Sequence, residues 1–366
     1  MRKTATLAAV LAFALGLCFA LQPDAQMIPR PTDSGPFNFT DLQRLLHRCP
    51  ARTVIVDSAF VFAGTRTNWP GCMYNDLSDA IAHVATQTPA PQSPWTVLLM
   101  PGASGASGAD PSNYIEAGNI VIPAHVTLQG FSMGGSGLTA SVSSFPFLKL
   151  TCPSGTCLKL GGGAAINHLI IKYAGAPTAA VKVIEFDNTS TGSTQAEQIT
   201  DSVLTVVPTN TTFVVDGITN TIASSYLYNV DVTLTGGNTG NRALVNTDTV
   251  AGRGMSVYGG RLTGATSCTS LVVNSAASGA GFQFFDTRID PKCTTDFVNT
   301  GTGTFNVKDT PFTSSSGAIA AYGQIFSLSA ASNPAACTVG QMYLNTTTPA
   351  VCLCTAANTW KCATLS

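Results

Sequence analysis

Between Ile166 and Phe312 one short pattern of apolar and polar positions recurs. It runs apolar, any residue, a bend-forming residue, two further residues, apolar. The six copies carry His168, Asp201, Asn229, Gly259, Asp286 and Asp309 at the bend position, 33, 28, 30, 27 and 23 residues apart. Beside it runs a second ladder of Asp187, Asp216, Asn246, Asn274 and Asn299, spaced 29, 30, 28 and 25 residues. The segments between are short and β-branched, with no helical period. A repeat in the twenties to low thirties built of such runs predicts a β-solenoid. Asn, Asp and Gly tolerate the left-handed conformation that a sharp bend needs, where Ile or Val would be strained. Each coil can thus set one strand before the anchor and one after it. Coils stacked about 4.8 Å apart place like residues in columns. Ile171, Leu204, Val232, Leu262, Ile289 and Phe312 are expected to line the interior. The predicted fold class is all-β, a right-handed parallel β-helix. A β-sandwich would place strands about every 8–12 residues, without two ladders in step.

Other segments divide the chain into residues 1–20, 21–50, 51–320 and 321–366. Arg2 and Lys3, the apolar run Ala5–Leu17 and Cys18-Phe19-Ala20 read as a secretory signal. Residues 21–50 form a Pro-rich leader with a helix expected over Asp41–Cys49. Val54–Val56 and Trp95–Met100 read as strands. Asp76–Ala85 reads as an amphipathic helix burying Leu77, Ala80, Ile81 and Val84.

The 366 residues include 18 Lys plus Arg and 19 Asp plus Glu, only 10% charged in all. That balance supplies no electrostatic reason for a nucleic-acid partner. No stretch after the signal has the roughly 20 apolar residues of a membrane span. The expected location is therefore outside the cytoplasm, extracellular or periplasmic. Ten cysteines remain after the signal, an even number that reads as disulfides in an oxidising compartment. Cys152 with Cys157, Cys49 with Cys72 and Cys268 with Cys293 are the expected pairs. Cys337, Cys352, Cys354 and Cys362 fall in a C-terminal segment too small to build its own core. Zinc chelation by Cys352-x-Cys354 is the competing reading, weakened by the absence of a nearby His.

The order helix, strand Trp95–Met100, Pro101-Gly102, Tyr114-Ile115-Glu116 and Ile122-Pro123-x-His125-Val126-Thr127-Leu128-Gln129-Gly130 resembles the opening of pectate-lyase-like and pectin-esterase-like β-helix proteins. The resemblance implies that the helix caps the open end of the solenoid. Cys337-Thr338-Val339-Gly340-Gln341-Met342-Tyr343-Leu344-Asn345-Thr346, with the cysteines that follow, is similar to Cys-rich hairpin modules at the C-termini of phage tail-fibre and bacterial surface proteins. That likeness adds a homotrimeric, adhesive assembly to the functional readings.

The enzymatic motifs of the resembled families are mostly missing. Asn246-Thr247-Asp248 matches the first element of a polygalacturonase-like site, yet no paired Asp, Gly-His-Gly or Arg-Ile-Lys follows. The pectin-esterase and pectate-lyase elements are absent, so Ca²⁺ on a carboxylate cluster is the only cofactor the resemblance leaves open, and no cofactor is expected from the residues themselves. Most carboxylates, and His168, are accounted for by the ladders. Glu185, Asp248 and Asp290 are not, which makes them the catalytic candidates should the protein be a lyase or hydrolase. Two residues past each anchor the strand should point outward, giving the column Val203, Asp231, Arg261, Arg288, Pro311. Two stacked guanidinium groups repel unless a carboxylate or a bound anion lies between them. Asp231, Arg261 and Arg288 are thus the candidate contacts to an acidic saccharide. Polysaccharide binding without catalysis leads, ahead of catalysis and of a purely structural role.

Overall fold

A computed structural model describes residues 51–57, 72–100, 114–131, 146–188, 195–265, 268–290, 292–317, 319–322, 328–330, 342–345, 347, 350–356 and 358–364. The expected signal, the leader helix over Asp41–Cys49, Cys49 and Cys337 lie outside these residues.

Three parallel sheets of eleven, seven and eight strands build a β-helix, with consecutive coils hydrogen-bonded side by side. One coil runs through Glu197–Thr200 in the long sheet, Val203–Val206 in the second and Val215–Ile222 in the third. The next coil repeats this with Ser224–Tyr228, Asp231–Leu234 and Arg242–Asn246. All six anchors turn the chain with positive φ, from 46° at Asp201 to 65° at Gly259. That is the left-handed region where Asn, Asp and Gly bear the least strain. Ile171, Leu204, Val232, Leu262 and Ile289 stand in one register and are buried, as their spacing predicts.

The second ladder needs correction in its first two rungs. Asn220, Asn246, Asn274 and Asn299 are the register partners. Asp216 instead pairs with Arg242, and Asp187 faces Ile222 across an irregularity after Phe186. Strand Val215–Ile222 is eight residues long, so counting a fixed interval back from Asn246 lands at its start instead of its end. The true ladder is continuous inside the protein. Asn220 Nδ2 donates to Asn246 Oδ1 at 3.0 Å, Asn246 Nδ2 to Asn274 Oδ1 at 3.0 Å, and Asn274 Nδ2 to Asn299 Oδ1 at 3.1 Å. Amides can be buried here because each satisfies the next.

Apolar side chains pack near both ends of the stack. Helix α1, Leu77–Thr86, begins at Asp76, whose carboxylate accepts the Asp79 N–H, and buries the four predicted residues. Near the other end Phe282, Phe284, Phe297, Phe305 and Phe312 interlock at centroid distances of 4.8 to 5.7 Å. The C-terminal segment forms a four-stranded sheet, Leu328–Ala330, Met342–Asn345, Ala350–Ala356 and Thr359–Thr364, antiparallel over its last three strands.

Disulfides join Cys152 to Cys157, Cys268 to Cys293 and Cys352 to Cys362. Cys72 and Cys354 are disulfide-bonded as well. The sulfurs of Cys352 and Cys354 are therefore held in disulfides and not open to zinc. These bonds suit an oxidising setting. Among the described residues no helix is long and apolar enough to cross a membrane.

Glu116 ties the cap to the sheets, accepting hydrogen bonds from the Leu77 and Ser78 backbone N–H groups, while the Ser78 hydroxyl donates to Asp76. Burial, reinforced by the nearby Asp76 carboxylate, pushes its pKa up to about 7. The folded protein thus holds a proton that the unfolded chain releases near 4.5. Stability is expected to fall as pH rises from near the unfolded value through about 7, because the native state binds more protons across that window. Denaturant titrations of Glu116→Gln should show a flatter pH profile there; an unchanged slope would refute the assignment. Asn246→Leu should cost about 3 kcal/mol in the same titrations, since it leaves Asn220 and Asn274 with unmet buried bonds.

Candidate functional site

The sharp bend between the long and second sheets sets two outward columns side by side. In the repeat the position just before each anchor faces out from the long sheet. Thr200, Tyr228, Tyr258, Phe285 and Lys308 occupy it in one register. Two residues past the anchors, Asp231, Arg261 and Arg288 face out from the second sheet in register, as their spacing predicts.

The aromatic members stack. Tyr228 and Tyr258 lie 5.1 Å apart at 14°, and Tyr258 and Phe285 lie 4.8 Å apart at 5°. Tyr226, two residues before Tyr228, adds a fourth ring 5.9 Å from it. Coil spacing brings equivalent rings to the distance of an offset stack. The rings are half-buried, and Tyr228 at the end of the stack is 38% exposed. Alongside runs a second outward column on the same sheet, Gln198, Tyr226, Ser256, Gln283 and Asn306. The face is therefore rich in rings, amides and hydroxyls and nearly free of charge.

The arginine column is internally neutralised. Arg288 Nε donates to Asp290 Oδ1 at 3.0 Å, and Arg261 sits 3.8 Å from both Asp290 and Asp231. Two carboxylates thus face two guanidinium groups, and Asp290 separates the cations. Next to them Thr205, Thr233 and Thr263 form an outward hydroxyl column. Between the two columns the bend residues bind one another: Asn229 Nδ2 donates to Asp201 Oδ1 at 2.8 Å, and His168 Nε2 lies 3.5 Å from Asp201.

The catalytic candidates do not converge. Asp290 lies on the second sheet in register with Thr263, beside the arginine column it neutralises. Glu185 lies on the third sheet, where burial works to raise its pKa, but hydrogen bonds from Lys182, Thr156 and Thr221 hold it below the usual value. Such a carboxylate is a poor proton donor. Asp248 is fully buried and accepts the Val250 and Ala223 N–H groups at 2.8 and 3.3 Å. Burial raises its pKa, and zero exposure keeps it from any polymer on the surface. Asp187 and Asp216 serve as ion-pair partners of Lys159 and Arg242.

Sequence reasoning missed the aromatic column, although its signal lay inside the repeat. Tyr228, Tyr258 and Phe285 fill the unrestricted position of the pattern, which was treated as uninformative.

Because the arginine column is exposed, its ion pairs are worth little. Asp290→Asn should cost less than about 1 kcal/mol in thermal melts. A larger loss would mark the cluster as structural. Compared with known proteins, the chain matches no protein-family model, no curated relative and no solved structure.

Proposed function

We propose that the protein is a secreted, non-catalytic polysaccharide-binding β-helix of the pectate-lyase-like kind, engaging its polymer on the aromatic side of the bend. The observation that carries this reading is the outward stack Tyr228–Tyr258–Phe285 beside a column of amides and hydroxyls. Sugar rings offer weakly polar C–H faces ringed by hydroxyls. Half-exposed aromatic rings pack against the former, and Gln198, Ser256, Gln283 and Asn306 can bond the latter. A straight file of coils repeats these groups at regular intervals, which suits a polymer better than a single small molecule.

The neutral balance of Asp231, Arg261, Arg288 and Asp290 shifts the preferred ligand from an acidic to an uncharged or weakly charged polysaccharide. In this arrangement the four residues form a polar rim that orients the chain. Glu185, Asp248 and Asp290 lie on separate parts of the surface and interior, which supports binding without turnover.

Affinity electrophoresis against neutral and uronate polymers tests the proposal, with product assays run on the same mixtures. Tyr228→Ala with Tyr258→Ala should weaken retention on a neutral polymer at least tenfold, about 1.4 kcal/mol. Arg261→Gln with Arg288→Gln should change it less than about threefold, as expected for rim groups in water. Unaltered retention in the tyrosine variant, or release of new reducing or unsaturated ends by the native protein, would defeat the reading.

A further inference from the structure

Far from the surface columns, the interior holds a group of oxygens with no donors to meet them. Glu197 and Ser225 are register partners on adjacent coils of the long sheet, and both point inward. Glu197 is fully buried and Ser225 nearly so. Neither Glu197 carboxylate oxygen has a partner from any other residue among those described, and the Ser225 hydroxyl has none. Strand Val215–Ile222, which leads into the Ser225 strand, carries Asn220, also fully buried, whose Oδ1 is unmet as well.

The amide ladder gives this place a polarity. Every rung from Asn220 onward donates toward the C-terminal end of the stack, so each carbonyl oxygen points back toward the N-terminal end. Aligned amides polarise one another and leave their negative end at Asn220 Oδ1. An ionised carboxylate near that end is disfavoured, and a positive charge is favoured.

The surrounding charges are few. Asp187, Asp248 and Arg253 are those coupled to Glu197. Asp187 is matched by Lys159. With Glu197 and Asp248 ionised and Arg253 positive, the group carries one uncompensated negative charge. With the carboxyl ionised, the four oxygens of Glu197, Ser225 and Asn220 offer one hydroxyl proton among them; a water can donate to only two of them, whereas a cation can meet all four. Hard cations take such all-oxygen sets, and buried charge persists only when paired or coordinated.

From this juxtaposition we infer that Glu197, Ser225 and Asn220 form an internal site for one hard monovalent cation, sodium or potassium, which exchanges with a proton on the Glu197 carboxyl. Loading releases the carboxyl proton to solvent and sets the cation against both carboxylate oxygens. The net charge of the interior is unchanged by the exchange. Burial of Glu197, which pushes its pKa up to about 8, agrees with the proton-loaded form prevailing near neutrality when no cation is bound.

The test uses the full chain at a pH above that value, with choline as the only salt cation. Calorimetric titration with NaCl and KCl, with thermal melts in parallel, should show one ion bound per chain and a higher melting temperature. Glu197→Gln should abolish binding while raising the melting temperature in choline, because it removes the uncompensated charge. Ser225→Ala should weaken binding severalfold without unfolding the coil. No uptake of either ion, equal uptake by Glu197→Gln, or a response confined to CaCl₂ would overturn the inference.

Discussion

Everything in this structure depends on parallel strands keeping register from coil to coil. A coil cannot bury its own inner face. It is stable only when the next coil supplies partners for its backbone and a surface for its side chains. Register therefore decides which residues become neighbours, and one slip would turn every inward residue out. Two devices hold it. The αL anchors make each corner the same sharp bend, and the asparagine ladder ties the interior of successive coils through side chains that tolerate no offset. The disulfide between Cys268 and Cys293 adds a covalent link between neighbouring coils.

The fold was readable because its constraint is local and repeated. An αL corner admits few residue types, so His168, Asp201, Asn229, Gly259, Asp286 and Asp309 betray the coils without any knowledge of their partners. The capping helix was equally plain, since an Asp N-cap and four apolar residues on one face are properties of a single segment. The second ladder was only half readable. Asn246, Asn274 and Asn299 keep even spacing, but the loop before Val215 and the long strand after it break the count. Asn220, the true rung, was passed over for Asp216. A rung is defined by what lies across from it, and sequence spacing reports that only while coils keep equal length.

Surface chemistry was harder to read for a related reason. Arg261 and Arg288 drew attention because charges are rare in this chain, and their column does form. The sequence offered Asp231, Asp286 and Asp290 as carboxylates to steady the pair, without choosing among them; Asp290, two residues beyond Arg288, is the one that meets both arginines. Aromatic residues, by contrast, carry no mark of which face they occupy. Tyr228 and Phe284 look alike in a list, yet one is exposed and the other fully buried. Glu197 escaped notice altogether, since nothing around it in sequence suggests a carboxylate without partners.

The three-residue corner separates two kinds of position. The residue ahead of it is committed to the interior and the anchor to the bend, while the one between them, filled by Thr200, Tyr228, Tyr258, Phe285 and Lys308, answers to neither. That position is a line of print on a fixed page. A descendant of this chain can exchange a ring for an amide or a charge there, one coil at a time, and acquire a taste for a different polymer without relearning how to fold.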